Sequence, residues 1–483
     1  MSGLKQTSAP LYEGLRRHIE RKPSSFHIPA HGGKAVPEEL CSWEIFAYDL
    51  TELPSLDDLH APTGIIAEAQ ALAAACFGAQ HTFFLVNGST SGIIAAIMAT
   101  CSEGEKIILP RNAHRAVMAG LIHSGARPVY VPVEVLDGDF PLNVTVSALE
   151  EAVVRHPESR AILVTSPNYE GVAVDLHGIR ELASRQEMFL IVDEAHGAHF
   201  SFHPHFPTGA AHCRADIWVQ SAHKTLGALT PGAYLHLGNK PSPEEVLFVL
   251  QQLQTSSPSY PLMLSLDLVR RDWALRGRQR LDSLLPLVEE AREKLGSVSG
   301  LKLFDEGMLP PDAGFALDPL RLTIFGEGFA LARYLRHQGI DVEMETLNSI
   351  LCIISPWATK EDLDRLVRGV ANAFKKFGCK QASKGMPAVD DRGLFAALPI
   401  PPLQLTPRQA FYSPSVRVPL QEAREKIAKE AVIPFPPGIP ILLPGEVVTA
   451  DIVAAIEEAI ARGLHLQGAP GINSGKICVL KES

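Results

Sequence analysis

Between about residues 60 and 240 the chain alternates helix-length stretches with short, continuous apolar runs: TFFLV, KIILP, RPVYVPV, AILVTSP, FLIVDEAH and DIWVQSAH. None of these runs alternates apolar with polar residues, so each predicts a strand buried on both faces, and the helical spacers predict crossovers. The pattern is that of an α/β chain with a mostly parallel sheet covered by helices. Ligands of such sheets bind beyond the carboxyl ends of the strands. The runs here end in polar residues: Asn87-Gly88-Ser89, Arg111-Asn112-Ala113-His114, Ser166-Pro167-Asn168, Asp193-Glu194-Ala195-His196 and Ser221-Ala222-His223-Lys224. These tips are predicted to converge on one site.

The pattern changes on either side of this region. Residues 1–60 are rich in Pro, Gly, His and Asp and poor in helical periodicity, which reads as an ordered N-terminal arm. Residues 61–297 form the expected large domain, closing with helical sequence from 243 and a long connecting helix. LRLTIF, IDVEMET and SILCIIS predict strands of a smaller α+β domain over 298–379. The Pro- and Gly-bearing stretch 380–407 reads as a linker. A C-terminal domain over 408–483 is predicted to hold a helix around 419–430, the turn-rich PFPPGIPILLPGE, and a final helix at 449–463.

Composition narrows the class. At 483 residues, 46% hydrophobic and 20% charged, the chain has the make-up of a soluble multidomain protein. A net charge of −10 argues against a phosphate-backbone binder, so nucleic acid is not an expected partner. The seven cysteines are scattered without a CxxC pair, which supports neither a disulfide framework nor a zinc knuckle. No signal-peptide pattern is present and no apolar stretch approaches the ~18 residues a membrane helix needs. A cytoplasmic protein without a membrane partner is expected.

The tip residues suggest the chemistry. In DIWVQSAHKTLGALTPGA, Lys224 follows an apolar strand and precedes small residues, and an amine desolvated there would attack carbonyls to form Schiff bases. A lone lysine is more ordinarily one that snorkels to solvent. Asp193 ends the apolar FLIVD, where a carboxylate needs a cationic partner such as the protonated ring nitrogen of pyridoxal phosphate; the plainer reading is a helix cap. Gly88, Ser89, Thr90, Ser91 and Gly92 lie between a strand and a helix-forming run, where N–H groups and hydroxyls would cradle a phosphate or simply cap the helix. His114, also at a strand tip, would stack on an aromatic ring or serve as a hydrogen-bonded structural residue. DEAHGAHFSFHPH carries His196, His199, His203 and His205, but lacks the HExxH spacing of zinc proteases, so no metal is expected, and Glu194 and His199 read as supporting or structural residues.

Taken in order, FHIPAHGGK, DLTELPSLDDLHAPTG, FLVNGSTSG, PRNAHRAV, SPNYEGV, DEAHGAHF, VQSAHKTLGALT, TSSPSYPLMLSLD and PFPPGIPILLPGE resemble the Orn/Lys/Arg decarboxylases, fold-type-I pyridoxal phosphate enzymes. That resemblance implies a transferase-like large domain, pyridoxal 5'-phosphate as cofactor and decarboxylation of a basic amino acid. It implies Lys224 as the Schiff-base lysine, Asp193 as partner of the ring nitrogen and His114 as the stacking ring. Ser89, Thr90, Ser91, Ser221 and His223 would hold or flank the phosphate, Ala195 would pack under the ring and His196 would lie near its phenolic oxygen. His223 or Lys224 would return a proton to Cα. Ser256 or Ser257 would reach a neighbouring subunit's site.

The sequence departs from the family pattern at Ala30, Ala222, Pro231 and Phe435, where Gly, Thr, Gln and Tyr are usual. It also opens without the receiver-like domain of the larger members, which makes a homodimer or dimer of dimers with shared sites the expected assembly. Glu52, Asp57, Asp58, Glu343, Glu345 and Glu446 stand at family-like positions as candidates to read the substrate's distal cation. The resemblance favours arginine to agmatine, in polyamine biosynthesis, over lysine to cadaverine or ornithine to putrescine. An aminotransferase, which shares most of this apparatus, is the alternative reaction.

Overall fold

The computed structural model of the chain describes residues 5–21, 44–137, 140–377, 398–435, 438–461 and 463–481. The apolar runs become strands β1 (His81–Leu85), β2 (Lys106–Pro110), β3 (Arg127–Val131), β4 (Ala161–Thr165), β5 (Phe189–Asp193) and β6 (Ile217–Gln220), joined by a further strand, β7 (Ala233–Leu237). The sheet order is β1-β7-β6-β5-β4-β2-β3. β6 runs parallel to β5, and β2 runs parallel to β3 and β4. β7 is antiparallel to both of its neighbours. The sheet is mostly parallel, as an α/β chain requires. The sequence reading missed β7 because His236 interrupts its apolar run, although His236 is fully buried.

The chain divides into two compact units, residues 1–100 with 189–281, and residues 101–188 with 282–483, which do not follow the expected domain boundaries. In the first, helix α1 (Gly88–Thr100) is apolar on all sides and correspondingly buried, with Ile93, Ala95, Ala96 and Ile97 at 1% exposure or less. Gly92 lets it lie close on the sheet: a Cβ there would sit 2.6 Å from Leu85 Cδ1 and 2.9 Å from Val219 Cγ1. Gly92→Ala is therefore expected to lower stability by about 1–3 kcal/mol through overpacking, read as a shift of the urea midpoint at unchanged slope. The arm is not wholly irregular. Pro10–Glu20 is a helix whose Leu11, Leu15 and His18 recur on one buried face, and Asp267 accepts the Leu11 N–H at 3.1 Å.

In the second unit, Arg321–Phe325, Met344–Glu345 and Ser349–Ile353 form the expected small sheet with Lys302–Leu303. The expected helix over 419–430 does not form. A single turn, Leu420–Ala423, follows Pro419; Glu425 takes a left-handed φ of 62°, and Ile427 and Ala428 then bridge to Val447 and Val479. The apolar positions that suggested a helix, Leu420, Ala423 and Ala428, instead feed a core shared with the helix Ala450–Ala461. Within the expected linker, Gln404 donates its N–H to Gly445 at 2.9 Å, so this stretch is tied to the C-terminal fold. Ala30 and most of FHIPAHGGK's flanking arm lie outside the described residues.

Candidate active site

The parallel pairing of β5 with β6 brings two of the polar tips side by side. Asp193 is the partner of Val219, and Glu194 donates its N–H to Val219 at 3.0 Å. Asp193 is buried at 4% exposure and its Oδ1 accepts the N–H of Ala195 at 3.2 Å. Past the end of β6, Ser221 opens the one-turn helix α2 (Ala222–Thr225), which carries His223 and Lys224. The Lys224 amine lies 3.0 Å from Nε2 of the buried His196, placing it against the loop that carries Asp193 and Ala195. The strand end is buried as expected, with Ala222 and Thr225 facing inward, and Lys224 itself is exposed.

The helix start at the tip of β1 joins the same cluster. Ser221 donates its hydroxyl to Ser89 at 2.8 Å, and Ser91, buried, donates to the Gly88 carbonyl at 2.8 Å. Thr90 is exposed. Gly88 has a φ of 78°, which favours glycine, and a Cβ there would meet the Pro231 ring at 3.4 Å. Pro231, one of the departures from the family pattern, thus stands beside the opening of α1. The first-turn N–H groups of a helix have no intrahelical partner and suit an anion. His223 is half-buried; its Nδ1 donates to the Gly232 carbonyl at 3.0 Å. Burial first, and the Lys224 charge second, hold its pKa below the usual imidazole value.

Beneath these tips runs a buried polar chain that the sequence reading did not find. Thr82 Oγ1 contacts His236 Nδ1 at 2.8 Å, His236 Nε2 contacts Gln220 Oε1 at 3.0 Å, and Gln220 Nε2 lies 2.6 Å from Glu194 Oε2. The other Glu194 oxygen accepts the Ala210 N–H at 2.7 Å. Burial pushes His236 down to about 3 and Glu194 up to about 8, so both are neutral near pH 7. The signs of the two linkages are opposite. As pH falls from about 6.5 the unfolded chain takes up a proton that folded His236 refuses, and stability is lost; as pH rises from about 4.5 to 8 the unfolded chain releases a proton that folded Glu194 keeps, and stability is lost again. Each slope is about 1.4 kcal/mol per pH unit. Glu194→Gln, which removes only the second, is expected to gain in thermal midpoint over wild type progressively from pH 5 to pH 8; a constant difference across that range would contradict the assignment.

In the second unit His114 caps the helix Arg115–Ser124, its Nδ1 accepting the Ala116 N–H at 3.2 Å, with the ring exposed. Two candidate readers of a distal cation are already committed elsewhere. Asp57 accepts the N–H groups of Asp58, Thr63, Gly64, Ile66 and Ala67, the last three at 2.8, 3.0 and 3.2 Å, and so fixes the start of the helix Ile65–Phe77. Glu446 is fully buried in an ion pair with Arg111. Glu345 bonds Arg336 at 3.3 Å, and Glu343 is exposed and accepts the Tyr169 hydroxyl. Ser256 and Ser257 are exposed. His199 is buried edge-on against Phe200 and Phe206, with centroids 4.9 and 4.7 Å away. The Phe435 side chain lies outside the described residues.

Comparison with known proteins decides the family. The Orn/Lys/Arg decarboxylase major-domain model matches residues 9–309, and the C-terminal-domain model of the same family matches residues 394–462. The chain belongs to the Orn/Lys/Arg decarboxylase family. Membership makes it a decarboxylase acting on basic amino acids. Among its relatives, the arginine decarboxylase of Bacillus subtilis is 37% identical over 493 residues, covering 99% of each chain. The lysine decarboxylase LdcA of Pseudomonas aeruginosa is 24% identical, over 90% of this chain and 73% of that one. The crystal structure of the Francisella novicida lysine decarboxylase LdcF superposes with a TM-score of 0.86 at 20% identity, over 98% of this chain and 81% of that one, which establishes the shared fold. No helix among the described residues is long and apolar enough to cross a membrane.

Proposed function

We propose that this decarboxylase converts arginine to agmatine and CO2, using pyridoxal 5'-phosphate carried on Lys224. The observation that carries the cofactor reading is the contact of the Lys224 amine with His196, three residues past the buried Asp193. The arginine reading rests on the full-length similarity to the Bacillus subtilis arginine decarboxylase. The donor set suits such a group: an amine for the aldehyde, a buried carboxylate for the ring nitrogen, and serine hydroxyls at a helix start for the phosphate.

When bound, pyridoxal phosphate supplies the sink for the electron pair of the breaking Cα–carboxylate bond. Asp193, desolvated, would favour a proton on the ring nitrogen and so keep that sink charged. Ser89, Thr90, Ser91 and Ser221, with the first N–H groups of α1, would hold the phosphate; Ala195 would pack under the ring, His196 would meet its oxygen side and, by the family resemblance, His114 would stack on its face. The net reaction consumes one proton at Cα for each CO2 released. His223, whose Nδ1 proton is held by the Gly232 carbonyl, or the Lys224 amine, would deliver it. The lowered pKa of His223 makes its protonated form the readier donor. With Asp57 and Glu446 committed, the distal guanidinium falls to Glu52, Asp58, Glu343 or Glu345. The enzyme is cytoplasmic and works as a homodimer or dimer of dimers.

The test is CO2 release from carboxyl-labelled arginine, lysine and ornithine in parallel, by purified protein supplied with pyridoxal phosphate. Arginine is expected to be turned over fastest. Faster release from lysine or ornithine reassigns the substrate, and a yellow protein silent on all three overturns the proposal in favour of another reaction such as transamination.

A further inference from the structure

We propose that Glu194 is a positioning residue: through its hydrogen bond to Gln220 it locks the tips of β5 and β6 together, and so sets where Asp193 stands relative to Lys224. The inference rests on the cofactor roles proposed above for those two residues. It starts from where the backbone ladder stops. Between β5 and β6 the registered pairs are Ile191 with Ile217, Val192 with Trp218 and Asp193 with Val219, and the Glu194 N–H to Val219 bond follows at 3.0 Å. The residues with chemistry to perform lie at or beyond that end: Asp193, Ala195 and His196 on one side, Ser221, His223 and Lys224 on the other. Beneath the Lys224–His196 contact, the two sides are tied there by a buried side-chain bond, Gln220 Nε2 to Glu194 Oε2 at 2.6 Å.

Each partner is anchored from behind. Glu194 is held by the Ala210 N–H, and Gln220 by His236, which is held in turn by Thr82 and stacked on Trp218 with centroids 5.1 Å apart. Glu194, Gln220 and His236 are fully buried and Thr82 is 4% exposed. A chain of this kind is costly unless every member is satisfied, and apolar side chains would serve the sheet equally well. Its value lies in direction: a hydrogen bond fixes one separation and one orientation, whereas apolar contact at a strand end tolerates sliding. Immediately after Gln220, Ser221 reaches Ser89, so the same lock carries through to the start of α1.

The experiment compares Glu194→Met and Gln220→Met, which keep bulk and remove the bond, with Glu194→Gln, which keeps the shape and restores the bond once the Gln220 amide turns over and His236 takes its other tautomer, Thr82 Oγ1 then accepting. Each is prepared with bound pyridoxal phosphate and read by the visible circular dichroism of the cofactor, its dissociation constant, kcat, KM and thermal midpoint. The methionine variants are expected to lose or shift the visible signal and to lose about tenfold to a hundredfold in kcat with a smaller change in KM, the size of a misplacement near 1 Å. Glu194→Gln is expected to stay within about twofold of wild type, and the double methionine variant to lose no more than either single one, as for two ends of one bond. If Glu194→Met does not fold, Gln220→Asn, one methylene short, takes its place. A methionine or asparagine variant that keeps signal and kcat while its midpoint falls overturns the proposal, as does a Glu194→Gln that fails as badly as Glu194→Met. If wild type shows the cofactor signal but releases no CO2, the decarboxylation reading fails and the spectral comparison still decides the role of Glu194. Wild-type protein that takes up no pyridoxal phosphate overturns both.

Discussion

Lys224→Ala is expected to abolish CO2 release, by about three orders of magnitude or more, while leaving the fold almost untouched. The two halves of that expectation come from different observations. Among the described residues of the cluster of Asp193, His196 and Ser221, Lys224 alone carries an amine, the group that attaches an aldehyde as a Schiff base. The side chain is also exposed and sits on a one-turn helix, so truncation removes little packing, and a stability change within about 0.5 kcal/mol is expected. Parallel measurements of labelled CO2 and of the urea midpoint separate the two effects. Release within tenfold of wild type would remove Lys224 from the chemistry. A collapse of the midpoint would show that the lysine serves the fold.

Glu446→Ala is expected to do the reverse, costing about 3–5 kcal/mol of stability. Arg111 is 5% exposed; its two terminal nitrogens meet the two oxygens of Glu446, its Nε donates to the Pro440 carbonyl at 2.8 Å, and its guanidinium lies 5.0 Å from the centre of the Tyr130 ring. Burial raises the pKa of Glu446 more than Arg111 lowers it, a sign of how much desolvation the pair absorbs. Removing the carboxylate leaves that guanidinium buried without a counter-charge. Replacing both, as Arg111→Met with Glu446→Leu, is expected to cost less than Glu446→Ala alone, because no orphaned charge remains. Urea midpoints of the three variants check this. A double variant worse than the single one would mean that the pair, and not its desolvation, holds the segment in place. Arg111 begins the tip that ends at His114, so the C-terminal fold steadies that tip from behind.

Much of this was legible in the sequence, and the failures have physical causes. Six strands followed from apolar runs, because strands of a covered sheet are mostly apolar, although Arg127–Val131 proves only partly buried. The seventh was lost at His236, a polar residue that the core accepts because Thr82 and Gln220 satisfy it. The helix expected at 419–430 failed because periodicity cannot tell one buried helical face from several short segments feeding one core. The tips carrying Ser89, Asp193, Ser221 and Lys224 were placed together by topology alone. Lys224's exposure was not legible, since apolar neighbours in sequence do not say which way a one-turn helix points its third residue. Nor were the commitments of Asp57 and Glu446, whose partners lie in backbone N–H groups and in a residue 335 positions away.

The joining of β5 to β6 by side chains as well as backbone also bears on how this region breathes. Strand ends ordinarily fray, exchanging their amide hydrogens far faster than strand centres. Here the Glu194 amide sits between a ladder bond and a buried polar chain anchored on β1 and β7, so opening it means dismantling four strands at once. Its hydrogen should exchange as slowly as those in the middle of the sheet, and the turn that carries Lys224 would come loose only when the sheet itself gives way.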